Sequence, residues 1–303
     1  MSLAKQKKRV GILRGGTDEY YEDSLRDGGE MIAHITEHLG NDWQPFDILI
    51  DRTGVWHFAG LPIKPSELLH KVDVVLNVSH PSFASVLENL FIPNVGPSSF
   101  SYGLAEDRAT LASHLKKIGV KMPRHLIFPY YQPDFDGSRE RYSIKKAKEV
   151  HEKFTPPWIV KSLTPDSNLG VHLAQTFPEL VNAIEDITVH GKSILIEEFI
   201  SDRTASVHSV PGFRGSDLYT FPIGKYSSEE KENLLRLARD IYRQIGANHY
   251  LLTNFAIHPR RGIYLTSLEL LPDLKDGSHL GEVCQSVGSK TSEIVKHMLE
   301  SVL

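Results

Sequence analysis

The 303-residue sequence predicts an α/β protein whose second half turns α+β. Three observations carry that expectation. Short apolar runs alternate with an amphipathic helical stretch over the first hundred residues. A passage dense in Pro, Gly and Ser interrupts the chain at 93–103. Two long β runs, 250–259 and 262–271, are joined by a tight Arg-Arg-Gly turn near the end.

The elements follow in order. "RVGIL" (9–13) is a strand stopped by Arg14-Gly15-Gly16, after which Thr17 or Asp18 can N-cap a helix with Leu25, Ile32, Ile35 and Leu39 on its apolar face and Gly40 at its end. "FDILID" (46–51) and "DVVLNVS" (73–79) are β-branched strand runs, giving a parallel α/β layer. A helix with Leu104, Leu111, Leu115 and Ile118 on one side follows the 93–103 boundary, then a strand at 125–128 and a loop over 129–143. "WIVKSLTPDSNLGVHL" (158–173) reads as two strands around a small-residue turn. Thr176 and Glu179 box the next helix, with Pro178 in its first turn. "SILIEEFI" (193–200) is a strand, 204–213 and 218–224 are two more, and Ser227 with Glu230 opens a helix lined by Leu234, Leu237, Ile241 and Ile245 and ended by Gly246.

Composition narrows the function classes. Hydrophobic content of 40% and charged content of 24% are those of an ordinary soluble domain, and a net charge of −4 supplies no basic field for nucleic acid. One cysteine, Cys284, excludes an internal disulfide and a Cys-based zinc site and fits a reducing compartment. No apolar run approaches the roughly 18 residues that span a bilayer, and the N-terminus has no signal-peptide core. The expectation is a cytoplasmic protein with a small-molecule substrate, no nucleic acid and no membrane.

The glycine turn "GILRGGTDEYYED" lacks G-x-G-x-x-G spacing, and Asp18, Glu19, Glu22 and Asp23 would repel a phosphate at the helix it opens. Neither Gly191-Lys192 nor Gly224-Lys225 has the lead or the Ser/Thr of a P-loop, and none of the fifteen histidines falls in an H-E-x-x-H pattern. Lys161 is different. A lysine at the end of an apolar strand can aim its ammonium at phosphate oxygens, while Ser167 and Gly170 let backbone N–H groups close over the same anion. The carboxylates of "LIEEF" (195–199) suit the amino edge of a purine.

Six stretches in sequence order resemble the D-alanine–D-alanine ligases of the ATP-grasp superfamily: "ILRGGTDEYYEDSLRDG", "IPNVGPSSFSYGLAEDR", "WIVKSLTPDSNLGV", "ILIEEFI", "GKY" and "YLLTNFAIHPRRGIYLTSLELLP". The resemblance implies a three-domain ATP-grasp fold: a Rossmann-like N-terminal domain over 1–100, a central domain over 101–196 and a C-terminal domain over 197–303. It also implies ATP and magnesium as cofactors, D-alanine or a related amino acid as substrate, ligation through an acyl phosphate for peptidoglycan, and a homodimer. Carried over residue by residue, Lys161 would hold the nucleotide's phosphates, Arg108 would stand for a cofactor-binding lysine of the central helix, and Glu197 and Glu198 would lie at the adenine. Lys225 and Tyr226 would lie near nucleotide and substrate, Ser167 in the ATP-covering loop and Ser278 at the substrate carboxylate.

The departures from the family pattern point the other way. Where the family supplies Asp, Glu and Asn to two magnesium ions, this sequence has Asn254, Ser267 and Glu269, so Asn254 and Glu269 are the remaining metal candidates. Leu252 replaces an arginine, Asp273 a glycine, Arg108 a lysine and Thr204 a ribose-binding glutamate. Tyr20 stands for the glutamate that holds the first ammonium, with Glu19 adjacent. His80 or Ser79 partly matches a shortened loop, and the lid after Tyr226 is missing. Two functions follow from these facts: a divergent ADP-forming ligase, or a nucleotide-binding pseudoenzyme that acts through a partner.

Overall fold

In the computed structural model, which describes residues 6–18, 20–163, 169–274 and 277–303, the chain divides into two compact units. Met1–Val120, Ala205–Asn254 and Ser267–Leu303 form one, and Lys121–Thr204 with Phe255–Thr266 form the other.

The larger unit begins with β1 (Lys8–Gly15), α1 (Tyr21–His38), β2 (Trp43–Ile50), β3 (Trp56–Phe58), β4 (Leu61–Ile63), β5 (Val74–Asn77), α2 (Ala84–Asn89) and β6 (Asn94–Val95). They make one sheet in the order β4-β3-β2-β1-β5-β6. The strands β2, β1, β5 and β6 are parallel, as expected, but β3 and β4 add an antiparallel edge that the sequence reading lacked. Their turn, Ala59-Gly60, has positive φ at both residues, the geometry that Asn-Gly usually signals, and alanine there hid it. Alternate residues of β1 feed two cores. Val10 and Ile12 pack with Met31, Ile35, Val74 and Leu76, whereas Leu13 packs with Ile48, Ile50, Trp56 and Leu87. Burial on both faces is what a parallel sheet requires.

Neither Thr17 nor Asp18 caps α1. The helix starts at Tyr21 without a side-chain cap, and Asp18 accepts instead from the Tyr20 N–H at 3.0 Å. Two hydroxyls hold the turn before it. Ser24 accepts from the Gly15 N–H at 2.9 Å and donates to Val78 O at 2.8 Å, and Ser79 donates to Gly15 O at 2.6 Å. The single helix expected after residue 103 is two, α3 (Ser99–Glu106) and α4 (Arg108–Lys116). Asp107 breaks the run by taking an extended conformation and accepting from the Ala109 and Thr110 N–H groups.

The smaller unit contains β7 (His125–Phe128), α5 (Pro133–Asp136), α6 (Arg139–Lys153), β8 (Trp158–Ser162), β9 (His172–Ala174), α7 (Phe177–Val189) and β10 (Ile194–Glu198), with sheet order β7-β10-β8-β9. Residues 139–143, read as loop, open α6: Ser138 caps it, and Tyr142, Ala147 and Val150 face a core built around Trp158.

The chain continues as β11 (Thr204–Pro211), β12 (Leu218–Thr220), α8 (Ser228–Ile245), β13 (Leu251–His258), β14 (Gly262–Glu269), α9 (His279–Ser286) and α10 (Thr291–Glu300). The sheet runs β12-β11-β13-β14. The expected capping box of α8 forms between Ser227 and Glu230, and Gly246 ends the helix in a left-handed conformation. The last two helices, unread in the sequence, bury Leu280, Cys284, Val295 and Met298 in the cluster that also holds Val10 and Ile12. Burial, then the charge of Glu293, raises the Cys284 thiol to about 11, so it acts as a small apolar side chain. Among the described residues no helix is long and apolar enough to cross a membrane.

Gly15 and Gly60 both sit at φ above +80°, but a Cβ on Gly15 would lie 2.2 Å from Ile50 O, whereas nothing lies within 4 Å of one on Gly60. Gly60→Ala is expected to cost only the backbone strain, about 1–3 kcal/mol, and Gly15→Ala clearly more. Urea unfolding of the two variants checks the order, and equal losses would contradict the packing around β1.

Candidate functional site

Strand pairing places the phosphate-type lysine. Lys161 lies on β8 directly across from Leu195 of β10, and two residues further along β10 Glu197 shares its face. The Lys161 ammonium meets the Glu197 carboxylate at 2.9 Å, with Lys161 partly open to solvent and Glu197 buried. Successive strand residues point to opposite faces, so Glu198 cannot join them. It is buried against two arginines instead, Arg124 Nε at 2.9 Å and Arg261 Nη1 at the β13–β14 turn. Burial would raise the Glu198 carboxyl, but the hydrogen bonds from Arg124 and Arg261 win, and its pKa falls below the usual range. Of the two glutamates proposed for the adenine, only Glu197 thus lies beside Lys161. Arg124 and Arg261 had no signal in the sequence beyond being two of many basic residues.

In the larger unit the metal candidates do meet. Asn254 accepts from Ser206 Oγ at 2.7 Å and turns its amide N–H groups toward Ser267 Oγ at 3.0 Å and Glu269 Oε1 at 3.5 Å. A magnesium ion needs hard oxygen donors on all sides. Here the amide presents N–H, not oxygen, to the one carboxylate. Among the described residues no group of three His, Cys, Asp or Glu is placed to hold a metal. These residues do not fit a two-magnesium centre.

The other predicted residues fall into separate local roles. Arg108 is buried at the first position of α4. Lys225 is exposed with φ +56°, and half-buried Tyr226 is followed at once by Ser227, the cap of α8, so no covering segment intervenes. Ser278 is buried and caps α9, accepting from the Gly281 N–H at 3.3 Å. Ser167 and Glu19 lie outside the described residues. His80 stands 4.0 Å from the Asp18 carboxylate, with its ring 5.0 Å from that of Tyr102 and 6.4 Å from that of Tyr20, whose hydroxyl donates to Glu106 at 3.2 Å. Leu252, where the resemblance expects an arginine, is buried in the apolar cluster with Tyr250 and Phe221.

Desolvation by the surrounding chain, then repulsion from Asp273, raises the Glu269 pKa above its ordinary 4.5, against the lowering effect of the Asn254 hydrogen bond. A raised carboxyl favours the folded state below its unfolded pKa, and that contribution is lost as pH rises through the folded value. Glu269→Gln is therefore expected to melt higher than the parent at pH 7, with the gap closing toward pH 4. Thermal midpoints across that range check it, and a Gln variant less stable at neutral pH would contradict the electrostatics.

No family model matches the chain. The D-alanine–D-alanine ligase of Desulforudis audaxviator is 22% identical to it, over 96% of this chain and 97% of the relative. In fold, D-alanyl-alanine synthetase A from Vibrio cholerae superposes with a TM-score of 0.75 at 16% identity, covering 98% of each chain. The D-alanine–D-alanine ligase from Bacillus anthracis, solved in complex with ATP, gives a TM-score of 0.68 at 18% identity over 97% of this chain and 96% of its own. Sequence and fold agree along nearly the full length: the chain is similar to D-alanine–D-alanine ligases over almost all of its residues and shares their ATP-grasp fold.

Proposed function

We propose that this protein is an ATP-dependent carboxylate–amine ligase of the D-alanine–D-alanine type that works with weakened metal binding. The observation that carries the reading is Lys161, an ammonium at the end of an inner strand beside a buried carboxylate, in a chain that matches such ligases end to end. In the reaction, a carboxylate oxygen of the first amino acid attacks the γ-phosphorus of ATP, the bond to the bridging oxygen breaks, and ADP leaves. The amine of the second amino acid then attacks the acyl carbon, loses a proton, and expels phosphate. Lys161 would steady the charge on the phosphates. Arg108, Lys225 and Tyr226 belong to the same reading, as do a homodimer, the three-domain division and a cytosolic role in making the peptidoglycan dipeptide.

A second reading is favoured by one specific feature. The Asn254 amide faces Glu269 where a second carboxylate would be needed, and Leu252 offers no charge. A protein of that kind would bind nucleotide and act through a partner without ligating.

Calorimetric titration of ATP and an ADP-release assay with D-alanine separate the two. The ligase reading expects ADP release that depends on D-alanine, and Lys161→Ala should weaken ATP binding by at least tenfold with the fold intact. ATP binding without D-alanine-dependent ADP release would favour the second reading. Unchanged affinity in Lys161→Ala would remove the lysine from the site.

A further inference from the structure

Glu197 and Glu198 are neighbours in β10, and both are buried, at 4% and 9% exposure. Two adjacent carboxylates would repel any anion brought to their side of the sheet. The strand separates them. Glu197 meets the Lys161 ammonium, so the two charges cancel. Glu198 projects from the other face, where Arg124 Nε donates to its Oε2 at 2.9 Å and Arg261 Nη1 donates to its Oε1. Burial opposes ionisation of Glu198, but these hydrogen bonds outweigh it, and the group is a carboxylate at neutral pH.

Both arginines are themselves fixed. The Arg124 carbonyl accepts the Glu198 N–H at 2.8 Å, and its Nη1 donates to Lys153 O at 3.5 Å. Arg261 lies in a turn where His258 Nδ1 accepts from the Arg260 and Arg261 N–H groups at 3.1 and 3.0 Å, and Lys121 Nζ donates to Arg261 O at 2.7 Å. Two anchored guanidiniums on a buried carboxylate fix a position, which a surface ion pair does not. The position matters because β10 ends at Glu198. A bulge at that end would turn Glu198 onto the Lys161 face without moving Ile194 or Ile196 from the core. The ammonium would then face two carboxylates, and that side would carry one net negative charge.

We infer that Arg124 and Arg261 hold the Glu198 carboxylate off the Lys161 face, so that the ammonium is opposed by Glu197 alone of the two and the face admits an anion. Arg124 and Arg261 are positioning residues in this scheme and act through Glu198. The consequence for ATP rests on the ligase reading, but the placement of Glu198 does not.

Calorimetric titration of ATP and side-chain ¹⁵N NMR of the Lys161 ammonium test this on the full-length parent, Arg261→Gln and Arg261→Gln/Glu198→Gln, with circular dichroism to establish that each is folded. Arg261→Gln is expected to weaken ATP binding about tenfold and to move the Lys161 signal, whereas the double variant returns to within about twofold of the parent, because a neutral amide brings no charge to the face. A salt bridge that served stability alone would show no such rescue, since removing its second partner restores nothing. Parent affinity or an unmoved signal in Arg261→Gln, or a double variant no better than Arg261→Gln, would overturn the inference. Should Arg261→Gln not fold, Arg124→Gln with and without Glu198→Gln makes the same comparison. If the parent binds no ATP, the ligase reading falls alone and the Lys161 signal decides: moved in the single variant and restored in the double upholds the placement, and any other pattern refutes it.

Discussion

The two-residue period of the strand decides which groups can meet in this protein. On β10 it sends Glu197 to the Lys161 face and Glu198 to Arg124 and Arg261. On β14 it aligns Ser267 with Glu269, and Asn254 meets both of them and Ser206 of β11 on one face of the last sheet. On β1 it splits the apolar residues between two cores, which is why the N-terminal sheet can be buried on both sides. The polar groups hold their positions because the apolar ones fix the register, and a slip of one residue would exchange every pair.

Charge is what the last sheet lacks. Glu269 faces an amide and hydroxyls, and burial, then the charge of Asp273, raises its pKa. At Glu198 the opposite arrangement, two arginines on one carboxylate, lowers the pKa although the side chain is buried. Those two glutamates bracket the electrostatics. One has its cations within the protein, and the other has burial and a second carboxylate acting on it.

Much of the fold was legible in the residues. The box of Ser227 and Glu230, the Gly246 stop, the Lys161 hairpin strand and the long β13–β14 pair are strong local signals, and each forms where the pattern puts it. The misses have local causes too. Asp107 broke a continuous apolar stripe by capping, the Ala59-Gly60 turn hid a hairpin, and α6 has too weak an apolar face to stand out. Motif context singled out Lys161, Asn254 and Glu269 in the sequence, and the structure puts Lys161 beside Glu197 and Asn254 beside Glu269. What no pattern could reveal was pairing across distance. Glu198 with Arg261 is 63 residues apart, and Glu198 with Arg124 is 74 apart, so neither leaves a trace in local spacing.

The charge deficit on the last two strands is tested most directly by restoring it. Calorimetric titration of ATP with and without magnesium would be run on the parent and on Asn254→Asp/Ser267→Glu, with circular dichroism to establish that both are folded. The double variant is expected to bind magnesium-ATP at least tenfold more tightly than the parent, with its affinity for metal-free ATP unchanged or weaker. Equal magnesium dependence in the two proteins would mean that Asn254, Ser267 and Glu269 do not form the nucleotide–metal face, and the placement of the reaction on this sheet would be wrong.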